Sequence, residues 1–172
     1  MNKYLCRPWV IAMMTLLLIF FDQVTKGLAV RFLKGQEPFV IWDGVFELRY
    51  LENRGAAFGM LQGHQAFFLL TGLLVFAAAL YFFRHVSADR KFFPIRMIAV
   101  FILAGALGNM ADRLRLSYVV DFFYFRLIDF PIFNVADIYV SVGTAVLAVL
   151  ILFYYKEEEL NRLLDGRKKG AV

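Results

Sequence analysis

Asp22, Asp112, Asp121 and Asp137 are polar residues set in or beside strongly apolar runs, with Lys26, Asn53, Asn109, Arg113 and Asn134 near them in the same pattern. Two carboxylates in a partly dry site cannot both ionise cheaply, so they tend to hold one proton between them. Such a pair offers a base and an acid together, and Asp121 and Asp137 are the candidates for it. Taken singly, each has a plainer role. Asn134-Val135-Ala136-Asp137 suits a helix start, with Asn134 as N-cap and the acid in the first turn, and Asp121 suits the end of a strand. Asp22 and Lys26 lie four residues apart, share a helical face, and read as an ion pair that locks one helix to its neighbours. Gly105, Asn109 and Asp112 line one face as well, with Arg113 at its edge. Asp112 reads as a structural carboxylate and Arg113 as a group free to hold a backbone carbonyl or carboxylate, while Asp129, between Ile128 and Phe130, reads as a surface charge.

Other chemistries fit the sequence less well. His64 and His85 fall on opposite sides of the membrane in the topology argued below, so they do not form one metal site. No Ser-x-x-Lys or Gly-x-Ser-x-Gly pattern occurs, Ser117 and Ser141 lack an obvious base, and no glycine loop suited to phosphate is present. The single cysteine, Cys6, allows no intrachain disulfide and no cysteine metal cluster, and reads as a small buried or lipid-facing residue. No metal and no cofactor are expected. Acid–base catalysis by carboxylates is the option left.

Those side chains need a scaffold, and composition says which kind. Of 172 residues, 61% are hydrophobic and 19% charged, and mean hydropathy is +0.64. A soluble domain carries about half apolar residues and about a quarter charged, so the balance is that of a membrane protein. The fold class expected is all-α and integral to the membrane, one domain over 1–172, with helices at about 9–30, 66–83, 96–112 and 138–155 and a small outer β-hairpin at about 38–52. The second and fourth runs are free of charge. The first and third reach spanning length only by including Asp22, Lys26, Asn109 and Asp112, and polar groups at membrane depth are costly and usually functional. The first run follows Lys3 and Arg7 as a signal peptide would, but it lacks a small-x-small cleavage site and reads as a retained span.

The net charge of +5 raises nucleic acid as a partner, but the basic residues sit at the ends of apolar runs and fit a membrane surface better. Lys3 and Arg7, then Arg84, Arg90, Lys91 and Arg96, then Lys156, Arg162, Arg167, Lys168 and Lys169 all fall on one side, which the positive-inside rule assigns to the cytoplasm. Both termini are then cytoplasmic, and Asp22, Lys26, Asn53, Asn109, Asp112, Arg113, Asp121 and Asp137 converge toward the outer face. In the outer hairpin, Asp43-Gly44 between Phe-, Ile-, Val- and Tyr-rich runs signals a two-residue turn with both residues at positive φ. Val119–Tyr124 reads as extended. The charged tail, 156–172, is expected to fray in water.

Five motifs in order resemble the lipoprotein signal peptidase (signal peptidase II) family. They are Asp22-Gln23-x-x-Lys26, Asn53-Arg54-Gly55-Ala56-Ala57-Phe58, Gly105-x-x-Gly108-Asn109-x-x-Asp112-Arg113, Val120-Asp121-Phe122 and Phe133-Asn134-Val135-Ala136-Asp137. Each alone is weak, whereas five together between the right spans are specific. The resemblance implies four transmembrane helices with an outer β-cradle, in the bacterial cytoplasmic (inner) membrane. It implies a prolipoprotein substrate whose cysteine already carries diacylglyceryl, cut just before that cysteine. Asp121 and Asp137 match the family's catalytic aspartates. Asn53, Gly55, Asn109, Asp112, Arg113, Asn134 and Ala136 match its conserved surroundings, as do Asp22 and Lys26. The partners expected are that substrate and membrane lipid, with no nucleic acid, and the enzyme is expected to be a monomer. Two rivals from other classes remain: a proton-coupled transporter, which needs polar groups along the full depth of the bundle, and a non-catalytic assembly factor.

Overall fold

The structure is a computed structural model that describes residues 7–55, 60–87 and 89–164. Cys6, Ala56–Phe58 of the second motif and the end of the charged tail lie outside the described residues. Helix α1 spans Pro8–Leu33, opening on a proline in its first turn, where the missing N–H costs nothing. A hairpin follows, with β1 at Phe39–Trp42 and β2 at Phe46–Asn53. Then come α2 at Gln65–His85, a 3-10 turn at Arg90–Phe92 and α3 at Phe93–Leu116. Strand β3 at Val119–Tyr124 and a second 3-10 turn at Arg126–Ile128 lead into α4 at Val135–Val149. A π-type turn extends α4 through Leu150–Tyr154, and a short α5 covers Glu157–Leu164. Four helical segments are long and apolar enough to cross a membrane, and the three strands form one antiparallel sheet in the order β1-β2-β3. The fold is therefore a four-helix membrane architecture with a small three-stranded antiparallel sheet.

Helix α3 is the centre of the bundle and packs on α1, α2 and α4. Lipid tails are as apolar as leucine, so close backbone approach and polar contacts hold such helices together rather than the hydrophobic effect. Gly105 and Gly108 supply the close approach. A Cβ at Gly105 would overlap the Ala136 carbonyl oxygen and come 2.7 Å from Val140 Cγ2, and one at Gly108 would come 2.7 Å from Asp22 Oδ2. Outward-facing Leu, Phe and Val side chains on the spans stay exposed on the protein surface, as lipid-facing residues do.

Three details differ from the sequence-based expectations. Within the hairpin turn only Gly44 takes positive φ (+68°); Asp43 does not, and the connection has three residues because Trp42 pairs with Phe46. Val45 N–H closes that turn on the Trp42 carbonyl at 2.9 Å, and a register shift between Val40 and Trp42 takes up the extra residue. Helix α4 starts at Val135 rather than near 138, where the apolar run begins; Asn134 is its N-cap with Asp137 in the first turn, as the local Asn134–Asp137 pattern suggests. The described part of the tail forms the short helix α5. Lys156 N–H bonds Glu159 Oε2 at 3.0 Å, Glu159 pairs with Lys91, and Leu160 packs on the cluster of Val86, Phe92, Ile95 and Tyr155.

Candidate functional site

The sheet and the start of α4 place the two aspartates. Leu116 ends α3, and Ser117 turns the chain in the left-handed region (φ +65°), its N–H on the Arg113 carbonyl at 3.1 Å. That reversal feeds β3 directly into the sheet. Side chains alternate along a strand, so Val120 and Phe122 pack with Ala29 of α1 and Val135 of α4, and Asp121 faces the other way. Asp121 lies opposite Leu51 in the β2–β3 ladder, and Asn53 is paired with Val119. Asn53 is therefore a diagonal neighbour on the same face, and its Nδ2 donates to Asp121 Oδ2 at 2.8 Å. Beyond β3 the chain doubles back: Phe122 N–H and Phe123 N–H both donate to the Phe133 carbonyl, at 3.0 and 2.8 Å, and Phe133 N–H returns a bond to the Phe123 carbonyl. This pairing sets Asn134 beside Asp121.

Asn134 touches both acids. Its Nδ2 donates to Asp121 Oδ1 at 2.6 Å, its backbone N–H donates to Asp137 Oδ2 at 3.1 Å, and its Oδ1 accepts from Asp137 N–H at 3.0 Å. The last two form a capping box, with an aspartate in the place usually held by glutamate. The remaining oxygen of Asp137, Oδ1, accepts from Asn109 Nδ2 at 2.8 Å. Each oxygen of both carboxylates thus receives one amide hydrogen bond. Burial and the negative charge of Asp137 push the Asp121 carboxyl up to about 7, against the Asn53 and Asn134 bonds that favour its anion. Asp121 is 1% exposed, whereas Asp137 is half-buried and opens onto a groove.

That groove, about 250 Å³, runs between α2 and α4 over α3; Phe68, Thr71 and Gly72 line one wall, Val140 and Ser141 the other, and Asn109, Met110 and Arg113 the floor. Arg113 stands over the Phe68 ring, 4.3 Å from its centroid, and its Nη2 donates to the Gly55 carbonyl at 3.0 Å. Asn53 Oδ1 accepts from Gly55 N–H at 2.9 Å. The sequence suggests a free arginine; in the structure it already holds a backbone carbonyl of its own chain and so anchors the segment beside the groove.

Behind the aspartates lies a second buried cluster. Asp22 is 0% exposed and Lys26 3%. Lys26 Nζ lies 2.9 Å from Asp22 Oδ2 and 3.1 Å from Asp112 Oδ2, so one ammonium serves two carboxylates. The free oxygen of Asp22 accepts from Ala136 N–H at 2.9 Å, in the first turn of α4, and Asp112 Oδ2 accepts from Val120 N–H at 3.2 Å, on β3. Removing one partner from such a buried network costs about 3–5 kcal/mol. Gln23, to which sequence reasoning gave no role, is its crosspiece. Its Nε2 lies 2.9 Å from Asp112 Oδ1, 3.2 Å from Asp22 Oδ2 and 3.3 Å from the Gly108 carbonyl, and its Oε1 accepts from Arg115 at 3.2 Å. Its position directly after Asp22, in a helix otherwise apolar for three turns before it, was the available signal. Asp129 accepts from the Tyr124 hydroxyl at the surface, 2.6 Å away, apart from both clusters.

Residues 14–153 match the protein family described as signal peptidase (SPase) II. A lipoprotein signal peptidase of Clostridioides difficile (strain 630) is 41% identical over 139 residues, covering 81% of this chain and 92% of that protein. One from Streptococcus thermophilus (strain CNRZ 1066) is 40% identical over 152 residues, covering 88% and 96%. A solved structure described as a bacterial membrane enzyme superposes with a TM-score of 0.72 at 27% identity, covering 96% of this chain and 95% of that one.

Proposed function

The chain belongs to the signal peptidase II family, and from that premise we propose that it is an aspartyl endopeptidase of the bacterial cytoplasmic membrane, with Asp121 and Asp137 as its catalytic pair. The substrate is a prolipoprotein already carrying diacylglyceryl on its cysteine, and the cut falls just before that cysteine. The enzyme is a monomer with both termini in the cytoplasm. Its aspartates lie toward the outer face, since the basic residues Arg84, Arg90, Lys91 and Lys156 flank the opposite ends of the helices.

The observation that carries this reading is Asn134, one residue hydrogen-bonded to both carboxylates. Acids tied to a common partner, one of them buried on a strand and the other open to a groove, are arranged to share a proton. Asp137 lies in the first turn of α4, where the helix dipole favours an anion, so it acts as the base that takes a proton from the attacking water. Asp121, held protonated near neutrality, polarises the scissile carbonyl, and its proton then goes to the departing amine. No covalent intermediate is formed. Arg113 and Asn109 border the groove where the substrate backbone lies, and Asn53 with Gly55 closes its outer rim. The acyl chains stay in the bilayer.

The test is cleavage of a lipidated precursor by purified protein in detergent, with and without chelator. Chelator-resistant cleavage is expected. Asp121→Asn and Asp137→Asn should each lose roughly 10³-fold or more in kcat while unfolding at the parent temperature. Substantial turnover by either variant, once folded, overturns the pair.

A further inference from the structure

We propose that Lys26 is a positioning residue for the reaction, because its ammonium fixes which end of the Asn109 amide faces Asp137. The inference rests on the aspartate reading above. An ammonium has three donors and no acceptor. Lys26 Nζ has three oxygens around it: Asp22 Oδ2 at 2.9 Å, Asp112 Oδ2 at 3.1 Å and Asn109 Oδ1 at 2.7 Å. Charge neutralisation needs only the two carboxylates. The third and shortest contact goes to a neutral amide, and it reaches from α1 across to α3.

That contact has a directional consequence. An amide presents an oxygen on one side and an NH₂ on the other, and only the oxygen can face an ammonium. Asn134 Nδ2, itself a donor, points at the same oxygen from 3.2 Å. With two donors on Oδ1, the Nδ2 of Asn109 is turned toward Asp137 Oδ1, 2.8 Å away. Rotated by half a turn, Asn109 would set its NH₂ against the ammonium and its carbonyl oxygen against a carboxylate, both repulsive. Lys26 therefore reaches the Asp137 carboxylate through the Asn109 side chain, as a chain of contacts from α1 to α3 to α4. Asn134 closes the circuit, since its other bonds run to Asp121 and to the Asp137 N–H.

The experiment is a double-mutant cycle on the purified enzyme with a lipidated precursor, comparing Lys26→Met, Asn109→Ala and the two combined. Each single variant should lose about 100-fold in kcat, the order that mispositioning a catalytic group costs, with KM changed less than about twofold. The combined variant should lose no more than Asn109→Ala alone. A lysine acting on the reaction independently of Asn109 predicts instead that the two losses multiply, to about 10⁴-fold, and a lysine needed only for folding predicts a lowered thermal midpoint with near-parental kcat in the folded fraction. Multiplying losses, or a Lys26→Met enzyme with near-parental kcat, would overturn the proposal. Should Lys26→Met fail to fold, the same cycle is run in an Asp22→Asn background, which removes one of the two carboxylates left without their counter-charge while keeping an oxygen for Ala136 N–H. Inactive Asp121→Asn and Asp137→Asn enzymes alongside multiplying losses would sink the lysine inference and leave the aspartate pair standing. Active aspartate variants would sink the pair itself.

Discussion

Opposing influences meet at Asp121. Burial and the charge on Asp137 favour its protonated form, and the amides of Asn53 and Asn134 favour its anion. With the carboxyl pushed up to about 7, a proton is present on it below neutrality and leaves as pH rises through that value. If Asp121 is the acid of the reaction, kcat/KM falls on the alkaline side of pH 7, by about tenfold per pH unit once the limb is established. Asn53→Ala removes a bond that stabilises the anion, so it should move this limb to higher pH, whatever it does to the maximum rate. A pH–rate series on the two enzymes checks it, and a limb that moves to lower pH contradicts the assignment. The same sign governs folding. A carboxyl raised above its unfolded value holds more protons in the native state between about pH 4 and 7, so its contribution to stability declines as pH rises across that window.

Among the helices, α3 carries most of the architecture, through positions where a methyl group has nowhere to go. Gly105→Ala places a carbon against the Ala136 carbonyl oxygen, a backbone atom that cannot rotate away, so α4 and its capped aspartate must shift. A cost of about 1–3 kcal/mol is expected, read as a lower thermal midpoint in detergent together with lost activity. Gly27→Ala is the contrasting case, on an exposed helical position with nothing within 4 Å. It should leave stability unchanged or raise it by up to about 1 kcal/mol, read as an equal or higher midpoint. The long elements were legible in sequence because an apolar run of spanning length is a strong signal. So was the depth at which Asp22, Asn109 and Asp137 meet, which follows from helix direction and charge bias. The linkage between them was not. That Asn134 joins Asp121 to Asp137 depends on Phe133 pairing with Phe122 and Phe123, a long-range backbone contact with no local signature. The pairing of β3 with β2 was hidden likewise, although Val119–Tyr124 reads as extended, and the placement of α5 depends on Glu159 pairing with Lys91 and Leu160 packing on Val86, Phe92, Ile95 and Tyr155.

Over the whole molecule, polarity is sorted by end. The aspartate pair, the Lys26 cluster and the sheet gather where α1 and α3 finish and α4 begins, and the loop from α2 to α3 and helix α5 close the other end. The orientation proposed above predicts that Asp43→Cys, at the hairpin turn, in a Cys6→Ser background, reacts with a membrane-impermeant maleimide on intact cells. A cysteine replacing Ser87, in the α2–α3 loop, should react only after the cells are opened. Labelling in the reverse pattern would invert the topology and put the aspartates on the wrong side for an exported precursor.

Helix α2 leans on α3 as its one substantial neighbour among the described elements, and the groove beside Asp137 runs along its flank. For an enzyme working as proposed, that leaves a lateral doorway into the lipid. Reactant and severed leader peptide travel through the same two-dimensional sheet, so the quantity that sets both saturation and product inhibition is molecules per unit of bilayer area. Diluting the membrane with inert phospholipid at fixed bulk concentration would therefore slow catalysis and relieve inhibition together, as no dilution of the surrounding water can.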